Sequence, residues 1–275
     1  MPTIIDISPA TRLEGHAALS LTVDDEGIIT KAAFLSTTLV RGFEYLVRGR
    51  SPEFAIKVVQ RICGICPVPH GLASAEAIEQ AIGAEVPRRA GILRELLLIA
   101  DRLHSHALHQ YMILPDLGAS PEELQAARGR IHDIRMRAQH MADVIGGEAI
   151  HPSNICVGGL LRDISPRGAA GIYQSMRECE HIANEQRDAM VSMIEAFAEG
   201  HPHKMREYQE SLLATDMNYG DRAALDTGAI SEITPYRYYG SASAAGTTST
   251  IVPLYNGETV EVGPRARMAI FKGFR

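Results

Sequence analysis

The stretch "VVQRICGICPVPHG", residues 58–71, holds two thiols three positions apart, Cys63 and Cys66, with Arg61 just before them and His70 just after. A Cys-x-x-Cys turn points both sulfurs to one side. Soft thiolates select zinc, copper(I), nickel or iron–sulfur centres over magnesium or calcium. The Arg61 cation favours thiolate over thiol. Pro67 and Pro69 break any helix that would run through the cysteines, which places the pair on a turn. From these residues alone three readings stay open: half of a four-thiolate zinc site, a thioredoxin-like redox pair, or two buried inert cysteines. The redox pair needs a strand before it, and the preceding "SPEFAIKVVQRI" reads as helix.

Working outward, helical patterns dominate. Ser51-Pro52-Glu53 is a cap, a first-position proline and an acidic first turn. "RGFEYLVRG" reads as another short helix, and "HGLASAEAIEQAIG" as one that stops at Gly83. From about Pro87 to Leu114, Ile92, Leu96, Ile99, Leu103 and Ala107 recur at helical spacing and form one apolar face. Ser120-Pro121-Glu122-Glu123 opens a second long helix that Gly146-Gly147 closes, and a third runs from the next Ser-Pro to Gly200. The ends differ. "HAALSLTVDDEGIITKAAFLST" is two strand-like runs split by a turn, and "TIVPLYNGETVEV" has an Asn256-Gly257 hairpin signal. The final run before Arg275 looks strand-like. The expected fold class is α+β and mainly helical: one domain over 1–275, with strands in 1–40, a long-helix bundle in 41–200 and a mixed region with β structure in 201–275.

Composition narrows the function. Apolar residues are 45% of the 275, enough for a sizeable core, and the net charge is −6 with no long run of either sign. With no Trp and six Phe, the chain lacks both the charge and the stacking platforms of a nucleic-acid surface. No segment has the length of a membrane span, and the N-terminus has no secretory pattern. Four cysteines do not make a disulfide scaffold in a chain of this size. A close pair in a chain expected to be cytoplasmic is more often metal-binding or redox-active.

Three further stretches carry chemistry. In "TRLEGH", Glu14 lies at a loop-to-strand junction; it is a surface carboxylate paired with Arg12, or one turned inward to relay protons. In "RGFE", Glu44 lies between arginines, and the plain reading is a surface ion pair of little weight. "LHSHALH" carries His104, His106 and His109, of which His106 and His109 share a helix face.

In order along the chain, "TRLEGH", "RGFE", "RICGICPVPH", "SHALH", "GGEAIHPSNICVGG" and "EVGPRARM" closely resemble the large subunit of nickel–iron hydrogenases. Within that family the chain resembles the branch of methanogen enzymes that reduce the deazaflavin coenzyme F-420. The resemblance implies that Cys63 is a terminal nickel ligand and that Cys66 bridges nickel and an iron bearing carbon monoxide and cyanide. It implies that His70 hydrogen-bonds toward the bridging sulfur, that Arg61 conditions the site's charge, and that Glu14 relays protons. Glu44 would bind magnesium. The implied activity is heterolytic cleavage of dihydrogen, with electrons passing to an iron–sulfur small subunit and then to an FAD-containing subunit. The respiratory complex I relative shares the fold but lacks the cysteines.

The family's second cysteine pair, in a C-terminal Asp-Pro-Cys-x-x-Cys-x-x-His motif, does not occur here. The chain therefore reads as a fragment, as one half of a split subunit, or as a degenerate copy kept as a scaffold or assembly subunit. His109 stands where many relatives have Asp. A zinc-stabilised helical protein is the remaining alternative. The isolated chain is expected to be inactive, and aggregation-prone from uncovered helix faces.

Overall fold

The computed structural model describes residues 2–200, 211–214, 227–240 and 246–271. The chain forms two compact units: residues 1–41 with 205–275, and residues 42–204. The first unit opens with β1 (Thr3–Ile7), β2 (Ala17–Val23) and β3 (Ile29–Ser36), an antiparallel sheet in the order β1-β2-β3. The expected hairpin is β2–β3. Its turn forms because the Asp24 carboxylate accepts the N–H groups of Glu26 (3.0 Å) and Ile28 (2.9 Å), while Gly27 takes φ 80°.

The second unit is helical. A five-residue α1 (Phe43–Val47) precedes α2 (Pro52–Val59), whose Ser51 cap accepts the Phe54 N–H. After α2, the chain tightens into a 3-10 turn (Gln60–Ile62) and then enters α3 (Pro67–Ile82). The long helices are α4 (Arg88–Ile113), α5 (Pro121–Gly146) and α6 (Pro166–Gly200). The α5 start is a full capping box between Ser120 and Glu123, and its end is Gly147 at φ 80°. Ala107, Ile131, Ile134, Cys179 and Met190 are among the residues that fill the core of these three helices. Between α5 and α6 lies a two-strand hairpin, β4 (Ile155–Cys156) and β5 (Gly159–Leu160).

The buried face of α4 differs from the expected one. Leu93, Arg94, Leu97, Ala100 and Ala107 are buried, whereas Ile92 is 48% exposed. The face has rotated because α4 packs on α5 and also on α3, where it carries a buried charge. Arg94, 1% exposed, grips the Glu79 carboxylate of α3 with two hydrogen bonds of 2.6 and 3.0 Å. The same guanidinium donates to the backbone oxygens of Cys156 (2.7 Å) and Gly159 (3.0 Å), and Glu79 also accepts the Gly158 N–H (2.7 Å). Two helices and the β4–β5 turn thus share one satisfied ion pair.

The remaining described elements return to the first unit. β6 (Ser211–Leu212) pairs in parallel with β9 (Val260–Glu261), and β7 (Ile230–Ile233) antiparallel with β8 (Val252–Tyr255). Asn256 and Gly257 both take positive φ, as a two-residue hairpin turn requires. That turn closes a Tyr255–Glu258 bridge, while β8 pairs with β7 and β9 with β6. A short α7 (Pro235–Tyr239) and the residues after it are tied to β3: Tyr239 Oη donates to the Phe34 oxygen, and Thr247 Oγ1 and Thr248 N donate to the Ser36 oxygen. The strand-like last run is instead a helix, α8 (Pro264–Phe271). Pro264 starts it and an Arg265–Glu261 ion pair ties its first turn to β9, so local helix signals override the apolar pattern. Residues 272–275 lie outside the described residues, as does 241–245.

Removing one partner of the Arg94–Glu79 pair leaves a buried charge without its counterion. Arg94→Met is expected to cost about 3–5 kcal/mol, read by chemical denaturation of the full chain. Adding Glu79→Leu to it should restore part of that loss.

Candidate metal centre

The cysteine turn is held from both sides. Before it, Gln60 is 1% exposed and its side-chain amide donates to the Pro152 oxygen at 3.0 Å, which anchors the end of the α2 segment. Gly71 in α3 leaves room for that amide; a Cβ there would lie 2.7 Å from Gln60 Nε2. After the turn, Pro67 opens α3 at its first position. Both prolines lie in the first turn of α3, where backbone N–H groups have no helical partner to lose. The helix therefore starts at Pro67, earlier than expected, and His70 belongs to its first turn. Cys66 is the residue that caps α3.

Within the turn, Cys63 Sγ accepts the backbone N–H groups of Ile65 (3.3 Å) and Cys66 (3.2 Å). Such donors complement a metal-bound thiolate and fix its direction. Cys63 is buried and Cys66 half-buried. Arg61 is exposed, and its Nη1 donates to the Lys57 oxygen at the end of α2 (2.5 Å). All four cysteines are free thiols. Burial pushes the Cys156 and Cys179 thiols up, toward the neutral form, and Cys179 packs in the helical core.

The turn thus fits a soft metal as a two-thiolate donor and no more. Among the described residues, no group of three or more His, Cys, Asp or Glu side chains could hold a metal ion. The Cys63–Cys66 pair alone cannot close a tetrahedral zinc site either.

Glu44 is exposed in the first turn of α1. Glu14 is exposed in the loop before β2. Its loop is nonetheless specific: Gly15 takes φ 84°, a Cβ there would lie 2.9 Å from Thr38 Oγ1, and that oxygen accepts the His16 N–H. His106 and His109 are both exposed. His104 is engaged inside the fold, where its Nε2 lies 3.0 Å from Arg135 Nη2.

One group escaped the sequence reading. Gly64, Ile65 and Pro67 of the cysteine turn form one wall of a cavity of about 180 Å³. Asp101 and His104 of α4 and Arg135 of α5 lie on its other walls. Burial pushes the Asp101 carboxyl up to about 7. The His104 imidazole is held below its usual value, first by burial and then by the Arg135 charge. The available signal was a carboxylate inside the apolar run "LLLIADRL", three positions before a histidine.

Comparison with known proteins places this geometry. The nickel-dependent hydrogenase family matches residues 41–115, which include the cysteine turn, and a HoxL-like family matches residues 4–37. The chain is 42% identical over 272 residues to the coenzyme F420 hydrogenase subunit alpha of Methanothermobacter thermautotrophicus, covering 98% of this chain and 66% of that protein. It is 36% identical to the same subunit of Methanosarcina barkeri, covering all of this chain and 71% of the relative. The chain thus spans about two thirds of the length of the curated relatives it matches. The Ni-Fe-Se hydrogenase from D. vulgaris Hildenborough in the reduced state superposes with a TM-score of 0.80 at 25% identity, over 98% of this chain and 67% of that one. The chain belongs to the nickel–iron hydrogenase large-subunit family, as an N-terminal region that carries the Cys63–Cys66 pair and lacks the C-terminal pair.

Proposed function

We propose that this chain supplies half of the thiolate donors of a nickel–iron centre in a hydrogenase that reduces coenzyme F-420, and that the other donors come from polypeptide outside these residues. The observation that carries this reading is the Cys63 sulfur, held by two backbone N–H groups in a turn that the nickel-dependent hydrogenase family matches.

Cys63 would hold the nickel as a thiolate donor, and Cys66 would be the donor that nickel shares with iron. When bound, the centre supplies a Lewis-acidic metal pair that polarises dihydrogen for heterolytic cleavage. The chain's own residues do the rest. His70, in the first turn of α3, hydrogen-bonds toward the Cys66 sulfur and tunes its basicity. Arg61 adds positive charge beside the thiolates. Glu14 carries the proton outward, and Glu44 binds magnesium through a hard oxygen. Electrons leave through an iron–sulfur small subunit and a flavin subunit, since clusters need cysteines this chain does not have to spare. The complex works in the cytoplasm; among the described residues no helix is long and apolar enough to cross a membrane.

A second reading is that the chain is a non-catalytic scaffold or assembly subunit. The absence of any three-donor metal group among the described residues favours it for the chain by itself.

Elemental analysis and infrared spectroscopy separate the two. The purified chain alone should hold neither stoichiometric nickel nor stoichiometric zinc. Assembled with the partner subunits and a polypeptide carrying the second cysteine pair, it should load nickel and iron and show carbon monoxide and cyanide bands. Cys63→Ser or Cys66→Ser should abolish loading while the far-ultraviolet circular dichroism stays unchanged. Absence of these bands from the complete assembly leaves the scaffold reading, and stoichiometric zinc in the chain alone would favour a zinc-stabilised protein.

A further inference from the structure

The cavity beside the cysteine turn contains groups that metal ligation does not use. Three elements line it: the turn and start of α3, the middle of α4, and α5 with the residues after it. The turn side brings Gly64, Ile65 and Pro67, none of them charged. From α4 come Asp101 and His104, and from α5 come Arg135 and the neutral Gln139. Ala100, Ala138, Ala142 and Ile150 make the rest largely apolar. The space admits several water molecules, and its polar groups give them partners.

Hydrogen bonding assigns the imidazole. Arginine only donates, so His104 Nε2, 3.0 Å from Arg135 Nη2, accepts. His104 is therefore neutral, with its proton on Nδ1. Arg135 is thus engaged by an imidazole, and no ion pair ties Asp101 to it among the described residues. Asp101 lies on the same helix face as His104, one turn earlier. Its carboxyl group has no hydrogen-bond partner among the described residues, yet it is half-buried and lines the cavity. A carboxyl group so placed has two available states, a neutral acid in an apolar box or an anion that only cavity water can solvate.

We propose that Asp101 is a proton-relay residue that takes up and releases a proton through water in this chamber, beside the turn that carries the two thiols. The direction of the relay, toward a metal centre at Cys63 and Cys66, rests on the hydrogenase reading above; the presence of an exchanging acid in the chamber does not. The step is a simple transfer: the carboxylic O–H breaks, chamber water takes the proton, and the carboxylate regains one from the opposite side. It provides a proton station separate from Glu14.

Three measurements test it. In the full chain without metal, an infrared titration from about pH 4 to about pH 9 should show a protonated carboxyl band. That band should vanish with a midpoint near 7, be absent in Asp101→Asn, and shift promptly in deuterated water. Stability should follow the same titration. Below the unfolded value, near 3.8, both states are protonated and the group contributes nothing; as pH rises toward 7 the unfolded chain ionises first and the fold loses stability. Asp101→Asn should remove that loss, while Asp101→Glu should keep it. In the assembled, nickel-loaded complex, exchange between deuterium gas and water should slow at least about tenfold in Asp101→Asn. Its pH profile should change, and Asp101→Glu should recover part of both. A carboxyl that ionises like a surface aspartate, or an Asp101→Asn complex with unchanged exchange rate and pH profile, overturns the proposal. If the assembled complex takes up no nickel, the hydrogenase reading fails, and the metal-free titration still decides whether Asp101 is an exchanging acid.

Discussion

The buried Arg94–Glu79 pair is the constraint on which the helical unit depends. Two charges removed from water are tolerable only when every donor and acceptor is matched. Here the match includes the backbone of the β4–β5 turn as well as the two side chains. Moving α3 against α4, or the hairpin against either, would leave a buried charge unsatisfied. The pair therefore fixes where α3 lies, and α3 fixes where the cysteine turn ends, because Cys66 is its N-terminal cap residue. A polar interaction deep in the fold thus sets the position of the two sulfurs.

The turn itself is built from local chemistry that needs no metal. Gln60 and Gly71 lock its two flanks, two prolines fill the one stretch of helix where their missing N–H groups cost nothing, and two backbone N–H groups converge on Cys63. A site prepared in this way spends little conformational entropy when a ligand arrives. What it does not contain is a full donor set, so the same preparation serves a shared centre better than a self-contained one.

The two sides of the turn differ in electrostatic character. At the turn, two backbone N–H groups point at the Cys63 sulfur. The chamber beside them is apolar enough to favour neutral forms of both a carboxyl group and an imidazole. A carboxyl group whose ionisation is pushed up to about 7 thus shares a chamber with the turn that carries the two sulfurs. That is the arrangement proton-coupled chemistry needs, and burial produces it without any direct contact between the two sets.

Much of this was legible in the sequence, because the signals were local. The caps Ser51 and Ser120, the Asp24–Gly27 turn and the closing glycines at 83 and 147 depend on a few adjacent residues, and the structure has each of them. The Cys-x-x-Cys turn and the family resemblance are local in the same sense, carried by motifs a few residues long. Tertiary structure alone decided the rest. It turned α4 so that Arg94 is buried and Ile92 exposed, since the partner carboxylate lies on another helix. It engaged His104 because α5 brings Arg135 to that side. It made Asp101 a perturbed acid, since desolvation is a property of the surrounding walls and no pattern of neighbours along the chain encodes it.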